Sequence, residues 1–196
     1  MILKLDMSKA YDRVEWLCLE NIMEKLGFNL RWRGHMMQCI SFVLYSVRIN
    51  RKPCGNISPS RVLRQGNLLS PYLFLICVEG VSALIKKFVE NGASKGVFVC
   101  RNRGPSISHL YFADNSLIFC TVSLEECDSL QHVLKVFEVA LGQQLNKAKI
   151  FLFFSGNIDG NIQEEIKTRF GAHIIRQHEK YLGLPLLDEI KGILLM

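Results

Sequence analysis

The hydrophobic and polar positions of this chain change period several times, and each change marks an element. The opening run ILKLD predicts a strand over residues 2–6. Asp12 followed by Glu15 has the spacing of a capping box, which predicts a helix from there to about Leu26 with Gly27 as its stop. A second helical pattern runs from about Leu30 to Val43. Ser46–Asn50 and 61–63 then read as two strands around a turn region at Pro53 and Gly55. Pro71 suits the first turn of a helix that stays apolar to Val89, with Asn91-Gly92 after it. Strands are expected at 97–100 and 107–119 around a turn at 101–105, an amphipathic helix at 124–141, a strand at 150–154 and a short helix at 162–170. Within 107–119, the run LYFADNSLIF has apolar residues on both sides of Asp114-Asn115, a hairpin turn pair. Helices mix with mainly antiparallel strands without regular βαβ alternation. The predicted class is therefore α+β, one sheet with helices packed on one face.

Composition narrows the class. With 196 residues, 49% of them hydrophobic, the chain can bury a real core and is not of a disordered type. The excess of 24 Lys and Arg over 18 Asp and Glu gives a net charge of +6, which favours polyanionic partners. The seven cysteines are scattered and never spaced CxxC, so they read as reduced thiols of an intracellular protein. The histidines fit no zinc spacing. No signal-peptide pattern opens the chain, and Pro71 and Glu79 interrupt the apolar stretch 68–85, so it reads as a core helix and no membrane partner is expected.

Two carboxylates carry the candidate chemistry. A hairpin over LYFADNSLIF lifts Asp114 to a sheet edge, and LKLD places Asp6 at the end of a strand. Carboxylates so placed are natural ligands of Mg²⁺, which takes oxygen donors and binds one or two protein carboxylates together with substrate phosphates. Read locally, Asp6 is equally a strand-end cap and Asp114 a turn residue. Asp12 reads as a helix cap rather than a ligand.

Five segments decide between these readings. LKLDMSKAYDRVEW, LRQGNLLSPYLF, YFADN, LNKAKIFLFFS and YLGLPL stand in the order of reverse-transcriptase motifs A to E. In this the chain resembles the reverse transcriptases of plant LINE-type, non-LTR retrotransposons. The resemblance implies a polymerase palm over residues 1–187, with 188–196 an unmatched tail and the upstream fingers missing. It implies two Mg²⁺ ions bridged by Asp6 and Asp114, with Asn115 in the third acidic position, an RNA template, a DNA primer and dNTPs. It further implies that Tyr11 gates the sugar, that Arg64, Gln65 and Gly66 meet template and nucleotide, and that Lys149 assists the leaving pyrophosphate. Tyr181, Leu182 and Gly183 would belong to the primer grip, and the location would be nuclear or cytoplasmic. Bland readings stay open beside these: a core aromatic for Tyr11, a solvated charge for Arg64, a strand-edge lysine for Lys149.

The chain also departs from its relatives' pattern. Asn115 replaces an aspartate, Asn67 and Leu68 replace Asp-Pro, and Arg51 stands where Gly commonly follows Ile-Asn. Each change is a single C-to-T or G-to-A transition away, a pattern expected of a decaying copy. An amide oxygen can coordinate a metal but carries no charge. The resemblance therefore implies RNA-directed DNA polymerase chemistry for the family and lost activity, or at most nucleic-acid binding, for this chain.

Overall fold

The structure, a computed structural model, describes residues 1–92, 94, 96–98, 106–112, 115–175, 180–181 and 184–185. The chain divides into two compact units, residues 1–8, 82–136 and 145–196 in the first and 9–81 and 137–144 in the second.

The first unit is built on a sheet. β1 (Ile2–Asp6) pairs antiparallel with β7 (Asn115–Phe119) on one side and with β8 (Phe151–Phe153) on the other. β6 (His109–Phe112) extends the sheet antiparallel beyond β7, and β9 (His173–Ile174) extends it parallel beyond β8. The order is β6-β7-β1-β8-β9, so the mainly antiparallel α+β architecture is as expected. Because side chains alternate across a strand, register fixes the two faces. Leu3, Leu5, Ser116, Ile118 and Leu152 share one face and are all buried. On that face His109 Nε2 lies 2.8 Å from the Ser82 hydroxyl of α3 (Ser70–Glu90). The opposite face gathers Ile2, Leu117, Phe119, Phe151 and Phe153, with the Lys4 ammonium 5.4 Å above the Phe151 ring. Asp6 ends the same row.

Helices supply the rest of this core. α4 (Leu124–Leu141) buries Cys127, Leu130 and Leu134 at helical spacing, and each fully buried Leu contributes about 1.5–3 kcal/mol. Asp159 caps α5 (Gly160–Phe170) by accepting a hydrogen bond from Asn161 N at 2.7 Å. A short pair, β4 (Val97–Phe98) with β5 (Ser106–Ile107), matches the strands expected around 101–105. Residues 99–105 lie outside the described residues, as does the tail 188–196.

In the second unit, α1 (Trp16–Lys25) starts later than the capping box predicts. Residues Tyr11–Arg13 form a 3₁₀ turn, and Glu15 is extended, its N–H donating to the Leu141 carbonyl at 3.4 Å. That bond holds Glu15 out of the helix, so Asp12 is not its N-cap. The predicted stop is correct. Gly27 N bonds Glu24 O and Phe28 N bonds Met23 O, the paired pattern of a Schellman motif. α2 (Leu30–Ser41) is capped by Asn29, whose side chain accepts from Arg31 N at 2.8 Å.

The hairpin differs from expectation. β2 (Tyr45–Ile49) pairs with β3 (Lys52–Ile57), not with 61–63, so Pro53 and Gly55 lie within a strand. The turn is Asn50-Arg51, with φ of +48° and +66°. Arg61 instead bridges Glu15. No described helix is long and apolar enough to cross a membrane.

Candidate active site

Register brings the first carboxylate to its position. Asp6 ends β1 directly opposite Asn115, the first residue of β7, and in an antiparallel pair such Cβ atoms lie about 4.5–5.5 Å apart. Asn115 is thus a strand residue and not part of the turn. The two residues that separate it from Phe112, Ala113 and Asp114, lie outside the described residues.

A third segment locks onto Asp6 from the other side. Met7 bridges Leu145, Asn146 N donates to the Asp6 carbonyl at 2.9 Å, and Lys149 N bonds Asn146 O at 2.8 Å, closing the turn Lys147–Lys149. The turn carries the Lys149 ammonium to 3.3 Å from Asp6 Oδ2. Lys149 is 58% exposed and Asp6 16%, so the pair straddles the surface. β8, which follows, is paired on both sides, so Lys149 does not sit on a sheet edge. Tyr181 falls in a short hairpin, β10 (Lys180–Tyr181) with β11 (Leu184–Pro185), while Leu182 and Gly183 lie outside the described residues.

The remaining candidates belong to the second unit. Tyr11 stacks on Phe74 with ring centroids 4.8 Å apart, and its carbonyl accepts from Leu63 N at 2.8 Å. Arg64, Gln65 and Gly66 form an exposed turn before α3. The Arg64 carbonyl accepts from Asn67 N and from the Ser70 hydroxyl, at 3.2 and 2.6 Å. Asn67 Oδ1 accepts from Leu69 N at 3.0 Å, a bond that an aspartate would make equally well. Gly66 has φ +85° and open space where a Cβ would stand, so the turn itself requires glycine and the backbone is open to approach.

Sequence reasoning passed over Gln143. It is 5% exposed and donates through Nε2 to the Ala10 carbonyl at 3.0 Å, one residue before Tyr11. Gly142 beside it has φ +64°, and a Cβ there would meet Glu15 Cγ at 2.6 Å and the Arg13 carbonyl at 3.0 Å. No local pattern in the sequence announces either contact.

Residues 1–186 match the family described as reverse transcriptase (RNA-dependent DNA polymerase). The chain belongs to that family. An uncharacterized mitochondrial protein of Arabidopsis thaliana is 48% identical over 68 residues, which are 35% of this chain and 55% of that protein. An uncharacterized 149 kDa protein of transposon TX1 from Xenopus laevis is 23% identical over 189 residues, 95% of this chain and 14% of that one. The structure of Candida albicans telomerase, in complex with a fragment of telomeric RNA, superposes with a TM-score of 0.56 at 16% identity. That match covers 81% of this chain and 28% of the telomerase chain, and it establishes the polymerase-palm fold. The chain thus spans only part of each relative.

For this reverse-transcriptase palm, divalent ions are the family's general requirement, and the described donors can be tested against it. The Asp6 carboxylate and the Asn115 amide are oxygen donors, right in kind for Mg²⁺. Among the described residues no three His, Cys, Asp or Glu side chains gather, and the one carboxylate at this position already has an ammonium against it. Asp114, the second acidic candidate, lies outside the described residues.

Proposed function

We propose that the chain is the palm of a non-LTR retrotransposon reverse transcriptase of the plant LINE type, and that this copy does not polymerise. The transposon relative aligned over 95% of the chain and the Arabidopsis relative support the lineage. The relevant substrates are an RNA template, a DNA primer and dNTPs, with Tyr11 under the sugar, Arg64, Gln65 and Gly66 near template and nucleotide, and Tyr181 to Gly183 at the primer. Asp6 and Asp114 would hold the divalent ions, which when bound would supply activation of the primer 3′ oxygen and neutralisation of the triphosphate.

One observation carries the reading of inactivity: Asp6 faces an amide, Asn115, in register, and the Lys149 ammonium stands 3.3 Å from its carboxylate. Ions held by fewer charges bind more weakly, and losing a single transition-state contact can cost about 10²-fold or more. Primer extension on an RNA template with Mg²⁺ or Mn²⁺ should give no product. Incorporation of dNTPs that disappears on Asp114→Ala would overturn the proposal.

A further inference from the structure

Lys149 and Asp6 are 143 positions apart, yet the contact between them is built into the backbone. The turn that presents Lys149 hangs from the Asp6 carbonyl through Asn146 N, and the bridge between Met7 and Leu145 fixes the same two strands of chain one residue on. These bonds fix the backbone on both sides of the pair, not the lysine side chain. We propose that Lys149 is a tethered counter-cation that takes the divalent ion's place at Asp6, so that an ion can bind there only by displacing it. This rests on reading Asp6 as the metal-facing carboxylate of the palm.

Several features point the same way. The Asp6 side chain is 16% exposed, and a partly covered carboxylate is favoured by a positive partner. Its in-register neighbour, Asn115, is neutral and supplies none. Lys149 has a hydrated ammonium on a flexible stem and is more than half exposed, so it can swing out when a better cation arrives. The competition is modest, because an ion pair this exposed is worth only a few tenths of a kcal/mol to about 1.

The test is Mn²⁺ binding to the full chain, followed by the electron paramagnetic resonance signal of the free ion. Lys149→Ala should bind Mn²⁺ about two- to five-fold more tightly than the parent. Lys149→Arg, which keeps the charge, should stay near the parent. Lys147→Ala removes an equal charge from the same turn and should change little, and adding Asp6→Asn to Lys149→Ala should abolish the gain. Equal tightening by Lys147→Ala would overturn the proposal by assigning the effect to net charge alone. A gain that survives Asp6→Asn, or no Mn²⁺ binding by any variant, would overturn it as well. Primer extension by the parent chain would refute the reading of inactivity while leaving the order of Mn²⁺ affinities to decide this one.

Discussion

At the scale of single residues, burial sets the chemistry of the cysteines. Cys77, on α3, is 2% exposed, and burial pushes its thiol up to about 12, with a smaller push from the nearby Cys18. Burial likewise raises Cys120 to about 12. Cys39 and Cys54 are exposed. A thiolate is the reacting species, so iodoacetamide at pH 9 should label Cys39 and Cys54 and spare Cys77 and Cys120 until the chain unfolds. The sign of the pH dependence follows. A buried thiol keeps its proton to about pH 12, while the unfolded one ionises near 9.0. The stabilisation from each such thiol is therefore full below pH 9 and is lost as pH rises toward 12. Within that window each thiol steepens the loss by up to about 1.4 kcal/mol per pH unit. Chemical denaturation of Cys77→Ala across this range should show a shallower alkaline decline than the parent, whatever its stability at pH 7. An unchanged slope, or rapid native labelling of Cys77, would contradict this.

At the scale of elements, the hairpin of β2 and β3 stores an avoidable cost. Its turn places Asn50 and Arg51 both at positive φ, as a two-residue type I′ turn requires, and glycine is the residue that adopts the second position without penalty. Arg51 pays roughly 1 kcal/mol for standing there. Every residue of the two strands is exposed, and a two-stranded hairpin without a packed face is marginal in water. Arg51→Gly should therefore slow hydrogen exchange of the β2 and β3 amides about five-fold, leaving α4 unchanged. Equal exchange in both proteins would show that the turn carries no strain. The same turn shows why some elements were legible and others were not. A helix end could be read where a glycine makes the cap, as at Gly27, whereas the caps at Asn29 and Asp159 were not read from the sequence. At the hairpin the glycine that would have marked the turn is an arginine, and Pro53 and Gly55, ordinary turn signals, sit inside an exposed strand. The start of α1 was hidden because a carbonyl from a distant segment, Leu141, holds Glu15 extended.

At the scale of the whole molecule, the ordered motifs made the palm legible, since they repeat a pattern of strands and turns that the sheet realises. The pairing of Lys149 with Asp6 was not legible, because nothing in local spacing reports a contact across 143 positions. On the proposed reading, what remains to the palm is its charge. The chain carries +6, its basic residues are spread along the sequence, and the exposed hairpin alone presents Arg48, Arg51 and Lys52. Association of such a surface with nucleic acid rests on phosphate contacts, and each contact releases condensed counterions. The logarithm of affinity then falls linearly with the logarithm of salt, with a slope near −0.7 per contact for single strands and −0.9 for B-form DNA. A surface making about three contacts would lose roughly 20- to 40-fold in affinity between 50 and 200 mM salt. Fluorescence anisotropy with a labelled single-stranded RNA should show weak binding with that dependence and little preference among sequences, because phosphates carry no base identity. Affinity that holds constant across this range would mean that base stacking or hydrogen bonding, and not the positive surface, holds the strand.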